Sequence, residues 1–104
     1  MVFSSSSGDG EIVHKLCEAV TSGEREISPT MFHNSVHNAA PGYWSISTGS
    51  RQRSVALCGY DASFAVGLLE AVGLVLSEQV SVMLVTCDLP FPEPLAALRD
   101  IRAP

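Results

Sequence analysis

The sequence predicts an α/β domain whose sheet is mostly parallel and whose strands alternate with helices. Three observations carry this. Short apolar runs at 54–58 and 80–86 are too brief for helices and too rich in Val, Leu and Met for loops. The segments between them place apolar residues at helical spacing. The 104-residue length, 46% hydrophobic content and mean hydropathy of +0.25 supply one core and exclude a disordered chain. Strand, helix, strand in alternation then implies parallel pairing through right-handed crossovers.

Taken in order, Val2 to Ser5 reads as a short strand entering a Ser-Gly turn. Asp9 is placed to cap a helix from about Glu11 to Thr21, with Ile12, Val13, Leu16, Cys17 and Val20 on one face and Gly23 beyond its end. Ser28 before Pro29 is a second helix start, and the segment to about Thr48 is expected to be helical with a disturbance at Pro41 and Gly42. A strand from Ser54 to Cys58 and an elbow, Gly59-Tyr60-Asp61, lead to a helix ending near Ser77. That helix is apolar nearly all round and so reads as buried. Val80 to Thr86 reads as a strand from the middle of a parallel sheet. The whole of 1–104 is expected to be one domain. Its tail, 89–104, is proline-rich and ends in a short amphipathic helix using Leu95, Leu98 and Ile101.

Charge narrows the partners. A formal net charge of -5 with six Lys and Arg argues against nucleic acid and against an anionic membrane surface, both of which need clustered basic side chains. No span of a bilayer is expected, because Glu70, Ser77 and Glu78 interrupt the longest apolar stretch. The N-terminal residues lack the basic and apolar segments of a secretory signal. Three cysteines, Cys17, Cys58 and Cys87, without CxxC spacing suit a reducing cytoplasm rather than a disulfide framework or a zinc site. Charged residues at 16% fall below the usual quarter, which hints at surface covered by a partner.

Few residue sets suggest chemistry. His33 and His37 stand four apart on the expected helix, but no third ligand accompanies them, so hydrogen bonding to Asn34 and Asn38 is the preferred role. Phe32, Tyr43 and Trp44 read as core or interface aromatics. Gly8-Asp9-Gly10 lacks the lysine and spacing of a phosphate loop. No metal and no cofactor is expected. The strongest feature is SVALCGYDASFAVGLL, residues 54–69, in which a strand, an elbow and a helix set Asp61 at the helix mouth. Aspartate is a favoured helix cap, and capping alone accounts for it there. Cys58, at the end of the apolar run, reads as a small core hydrophobe rather than a nucleophile.

The elbow resembles the nucleophile elbow of the ketoacyl synthases and related thiolase-fold condensing enzymes. Asp61, Ala62, Ser63, Phe64, Gly67 and Leu68 fill that pattern, with aspartate where the family carries its acyl-accepting cysteine. FHNSVHNAAPGYWSI, residues 32–46, resembles a divergent, chain-length-factor-like branch of the family associated with aryl-polyene gene sets, in which the cysteine is commonly missing. The resemblance implies a partial thiolase-like fold covering part of the N-terminal half of a condensing enzyme. It also implies a non-catalytic subunit, or a fragment of one, that pairs with a ketosynthase and meets an acyl carrier protein in fatty-acid, polyketide or aryl-polyene assembly.

By that resemblance Asp61 occupies the nucleophile position without the nucleophile's chemistry, since an acyl-aspartate is a mixed anhydride that water destroys. Phe32, Asn38 and Phe64 would line the acyl channel or an interface, and the chain would work as a dimer. The dimer contact is expected at Val80 to Thr86 and at 28–49. The alternative is an acyltransferase or hydrolase using Asp61 in a site completed by another chain. An Asp-nucleophile hydrolase elbow, G-x-D-x-small, is also satisfied at Gly59 to Ser63, but no histidine follows His37, and that chemistry needs one downstream.

Overall fold

The computed structural model of the chain describes residues 1–23 and 26–98. Three strands, β1 (Val2–Ser5), β2 (Val55–Cys58) and β3 (Leu84–Thr86), form an all-parallel sheet in the order β2-β1-β3. The helices are α1 (Gly10–Thr21), α2 (Pro29–Asn34), α3 (Ala39–Thr48) and α4 (Ser63–Glu78). The expected α/β class with strand–helix alternation is what forms.

Alternation along β1 sends Val2 and Ser4 to one face, and both are buried there. α4 lies along that face with Ser63, Gly67, Ala71 and Leu74, a stripe at helical spacing that the sheet covers. The core is small: among the described residues Val2, Ala71 and Leu74 are its buried hydrophobic members, with Leu57, Val82 and Leu84 packed around them. Ser4 is the polar exception on this face. Its hydroxyl shares a 2.9 Å hydrogen bond with the Thr86 hydroxyl across the β1–β3 pair, so burial leaves it satisfied.

Several expectations need correcting. β3 has three residues rather than seven, and it lies at an edge of the described sheet with the serine-containing β1 in the middle. α4 is not buried all round, since Phe64, Leu68, Leu69, Val72, Val75 and Leu76 are exposed. The helical run Tyr60–Glu78, 19 residues, is long and apolar enough to cross a membrane by length and composition, contrary to the reading that its acidic residues break it. Its contacts with all three strands instead identify it as a helix laid on a sheet.

The 28–48 segment is two helices, and the break falls at Ser35 to Asn38, ahead of Pro41. Proline lacks only an N–H, and the first turn of a helix has no intrahelical use for one; Pro41 is therefore part of the start of α3. Of the expected tail helix a single 3-10 turn, Leu95–Leu98, forms, and Ile101 lies outside the described residues.

The helix starts follow the sequence closely. Asp9 Oδ1 accepts from Ile12 N at 3.1 Å, and Ser28 Oγ accepts from Met31 N at 3.4 Å with Pro29 following. Lys15 Nζ stands 2.7 Å from Glu11 on α1, and this pairing lowers the Glu11 carboxyl from its ordinary value and raises the Lys15 ammonium. Asp9→Ala is expected to cost about 1 kcal/mol of stability by urea unfolding, as loss of a good cap does. An unchanged midpoint would show that α1 does not depend on this cap.

Candidate functional site

The elbow between β2 and α4 is built by backbone strain and one buried hydroxyl. β2 ends at Cys58, Gly59 follows in a bridging conformation, and a 3-10 turn over Tyr60–Ala62 runs straight into α4. Tyr60 has φ +50°, a left-handed conformation that bulky side chains rarely adopt. Ser63, 3% exposed, holds the turn closed: its hydroxyl donates to Tyr60 O at 2.6 Å and accepts from Gly59 N at 3.1 Å. A Cβ at Gly59 would lie 3.0 Å from Val66 Cγ2 and 3.3 Å from Ala62 C, so the elbow is also sterically tight.

Asp61 lies inside this turn and is exposed. It is not the cap of α4; that position belongs to Ala62, which makes no side-chain cap bond. The expectation that Asp61 caps α4 is therefore corrected, and the physical reason is the extra 3-10 turn, which moves the start of the α-helix one residue on. In the motif Ser63 counts as a small residue; its spacing four after Gly59 is the sequence signal for its role as clamp.

The elbow brings Asp61 and Phe64 to one mouth, where Phe64 is 60% exposed. Phe32 and Asn38 do not join them. Ser5 points away from α4, by alternation with Ser4, and shares a crevice with Ile12 of α1 and Tyr43 of α3. α2 packs on α1, so Phe32 lies on that second side of the sheet, in an apolar groove with Val13, Leu16, Cys17, Val20 and Ile27. Asn38 precedes α3 without a side-chain cap bond.

Tyr43 and Trp44 are exposed rather than core. His33 belongs to α2 and meets Asn34 Oδ1 at 3.1 Å and the edge of the Tyr43 ring, while His37 lies in the break between helices. The two histidines therefore do not share a helix face. Among the described residues no group of three or more metal-ligating side chains gathers.

The three cysteines are free and exposed. Cys58 is not the core hydrophobe expected, because it ends β2 beyond the cover of α4; its thiol donates to Ser6 O at 2.8 Å. Asp88 Oδ1 accepts from Ser6 N at 2.6 Å from the other side, so the end of β1 is clamped by the last residue of β2 and by a residue just beyond β3. Chemically, the elbow presents an exposed carboxylate just ahead of α4.

Comparison with known proteins bears on this geometry. A family model described as "Beta-ketoacyl synthase, N-terminal domain" matches residues 1–102. Among solved structures, the chain resembles a chain of the ketosynthase (ApeO) in complex with its chain length factor (ApeC) from Xenorhabdus doucetiae, with a TM-score of 0.81 and 26% identity. That match covers 95% of this chain and 41% of the other, so the chain spans about two-fifths of its length. No curated protein matches.

Proposed function

Because the chain belongs to the β-ketoacyl synthase N-terminal domain family, we propose that it is a non-catalytic, chain-length-factor-like subunit, or a fragment of one, that acts beside a ketosynthase. Its fold is a partial thiolase-like one. What supports the reading is the strained elbow that holds Asp61, at the position that by resemblance is the family's cysteine. A carboxylate there is a poor nucleophile, and its acyl adduct would hydrolyse. The similarity to a ketosynthase solved with its chain length factor supports the choice of partner.

In this reading the pair works in the cytoplasm on acyl chains delivered by an acyl carrier protein, in fatty-acid, polyketide or aryl-polyene assembly. Phe64 at the elbow mouth, with Phe32 and Asn38 on the second side of the sheet, would serve channel or interface roles. β3 and the 28–49 segment are the surfaces offered to the ketosynthase.

The test is native mass spectrometry of the chain alone and after co-expression with a candidate ketosynthase, where a stable heteromer is expected. Asp61→Ala is expected to leave condensation by that pair within about twofold of the unsubstituted pair, since no transition-state contact is lost. A collapse of turnover with binding intact would transfer the role to a catalytic Asp61 in a shared site. Asp61→Cys, supplied with the partner and an acyl thioester, is expected to take up label at the new thiol; no labelling would count against the assignment of this position.

A further inference from the structure

We infer that the crevice at the carboxyl ends of β1 and β3 is a binding site for a small uncharged molecule with an apolar body and one carboxamide-like end. It lies on the face of the sheet away from α4 and asks nothing of a ketosynthase. Its position follows from the topology. The chain leaves β1 toward β2, and β3 lies on the other side of β1. In a sheet wound in this order, the gap outside the carboxyl ends of the first and third strands is where open α/β sheets take ligands. Ser5 is the last residue of β1, and Cys87 follows Thr86, the register partner of Ser4, so the two together make the floor.

The walls come from separate pieces of chain. Gly8 precedes α1 and Ile12 belongs to it, Val36 and His37 come from the break between α2 and α3, and Ala39, Ala40 and Tyr43 come from α3. The break is thus what carries Val36 and His37 over the strand ends. The enclosed volume is about 310 Å³, at the lower end of the roughly 300–1,000 Å³ usual for small-molecule sites. Small residues keep it open. Gly8 has φ +69°, and a Cβ there would stand 3.3 Å from His37 Nδ1, so glycine both makes the turn and leaves the imidazole its place.

The side chains select by charge. No Lys or Arg lines the crevice, so a carboxylate or phosphate meets no counter-charge. Its one carboxylate, Asp9, accepts from Ile12 N at 3.1 Å, which closes the start of α1 to an anion and sets that negative charge against the helix dipole rather than against a cation. The remaining polar groups are neutral. Asn34 Oδ1 is taken by the Tyr43 hydroxyl at 2.8 Å, which leaves the amide hydrogens. Among the described residues the His37 ring and the Cys87 thiol have no hydrogen-bond partner. A neutral imidazole offers one donor and one acceptor, and a carboxamide answers both. Ile12, Val36 and Ala39 then receive the apolar body.

Benzamide, benzoate and benzamidinium share a shape and differ in charge, and the experiment titrates each into the full, nitrogen-15-labelled chain. Benzamide is expected to shift the amide signals of Gly8, Ala39, Ala40 and Cys87 saturably, with a Kd on the order of 1 mM, and the two charged analogues to bind at least about tenfold more weakly. A second readout needs no substitution. The three cysteines are free and exposed, with Cys17 in the separate groove between α1 and α2. At ten times its Kd, benzamide is expected to slow alkylation of Cys87 by N-ethylmaleimide about tenfold, and to leave Cys17 and Cys58 unchanged. Ala40→Phe fills the crevice and is expected to abolish both responses; should it fail to fold, the protection of Cys87 in the unsubstituted chain decides.

Benzoate binding as tightly as benzamide, protection of Cys17 in place of Cys87, or signal shifts that spread over the surface without saturating would each overturn the inference. So would a folded Ala40→Phe protein that binds benzamide as the unsubstituted chain does.

Discussion

Gly67→Leu is expected to abolish the native fold, and Gly67→Ala to lower stability by about 1–3 kcal/mol, as overpacking of a tight contact does. Gly67 is where α4 comes down on the sheet. A Cβ there would lie 2.6 Å from Ser4 Oγ, 2.9 Å from Ser4 Cβ and 3.0 Å from Leu84 Cδ1. None of these neighbours can step aside cheaply. Ser4 is 2% exposed on the central strand and its hydroxyl is committed to Thr86, while Leu84 belongs to the core of the β1–β3 pair. Moving the helix outward instead would uncover Val2, Ala71 and Leu74 together. Far-UV circular dichroism and urea titration read the effect, and a Gly67→Ala protein that melts with the unsubstituted chain would show that α4 does not approach β1 this closely.

Leu74→Ala is expected to cost about 2–5 kcal/mol, the range for emptying a buried leucine site. Leu74 is 8% exposed and shares the core with Val2 and Ala71. Domains of this size are typically stable by about 5–15 kcal/mol, so the variant should be largely unfolded at modest urea. The contrast is Ile46→Ala on α3, 80% exposed, which is expected to shift stability by no more than about 0.5 kcal/mol. Equal effects at the two positions would contradict the placement of the core under α4.

The order of elements was legible because local signals and global packing agree. Asp9 before an amphipathic run, and Ser28 before Pro29, start α1 and α2 where those residues stand. The break before α3 was not legible, since Pro41 reads as an interruption when its neighbours are assumed helical and as a beginning when they are not. The two meanings differ only in where the preceding turn ends.

Burial was the harder quantity. β1 is the central strand although Ser4 and Ser5 make up half of it, and the apolar run around β3 pairs at an edge. Strand apolarity reports how many faces are covered, and here a serine is covered because its hydroxyl has a partner. At the candidate site, the elbow and the position of Asp61 were read from the G-Y-D-A-S segment. The helix start was not, because a 3-10 turn of three residues and the Ser63 clamp shift it, and single-turn geometry leaves little trace in composition.

The hydroxyl pair between Ser4 and Thr86 has a consequence for how a three-residue strand finds its place. Alternation alone is indifferent to a shift of β3 by two positions, which keeps the same faces inward. Such a slide would set Leu84 or Asp88 across from Ser4 in place of Thr86. It would strand a buried hydroxyl or bring in a carboxylate, at a cost of about 1–3 kcal/mol or more. Ser4 thus works as a keyway and Thr86 as its key: the strand is indexed by a polar contact, and the surrounding apolar side chains then lock around the one alignment it permits.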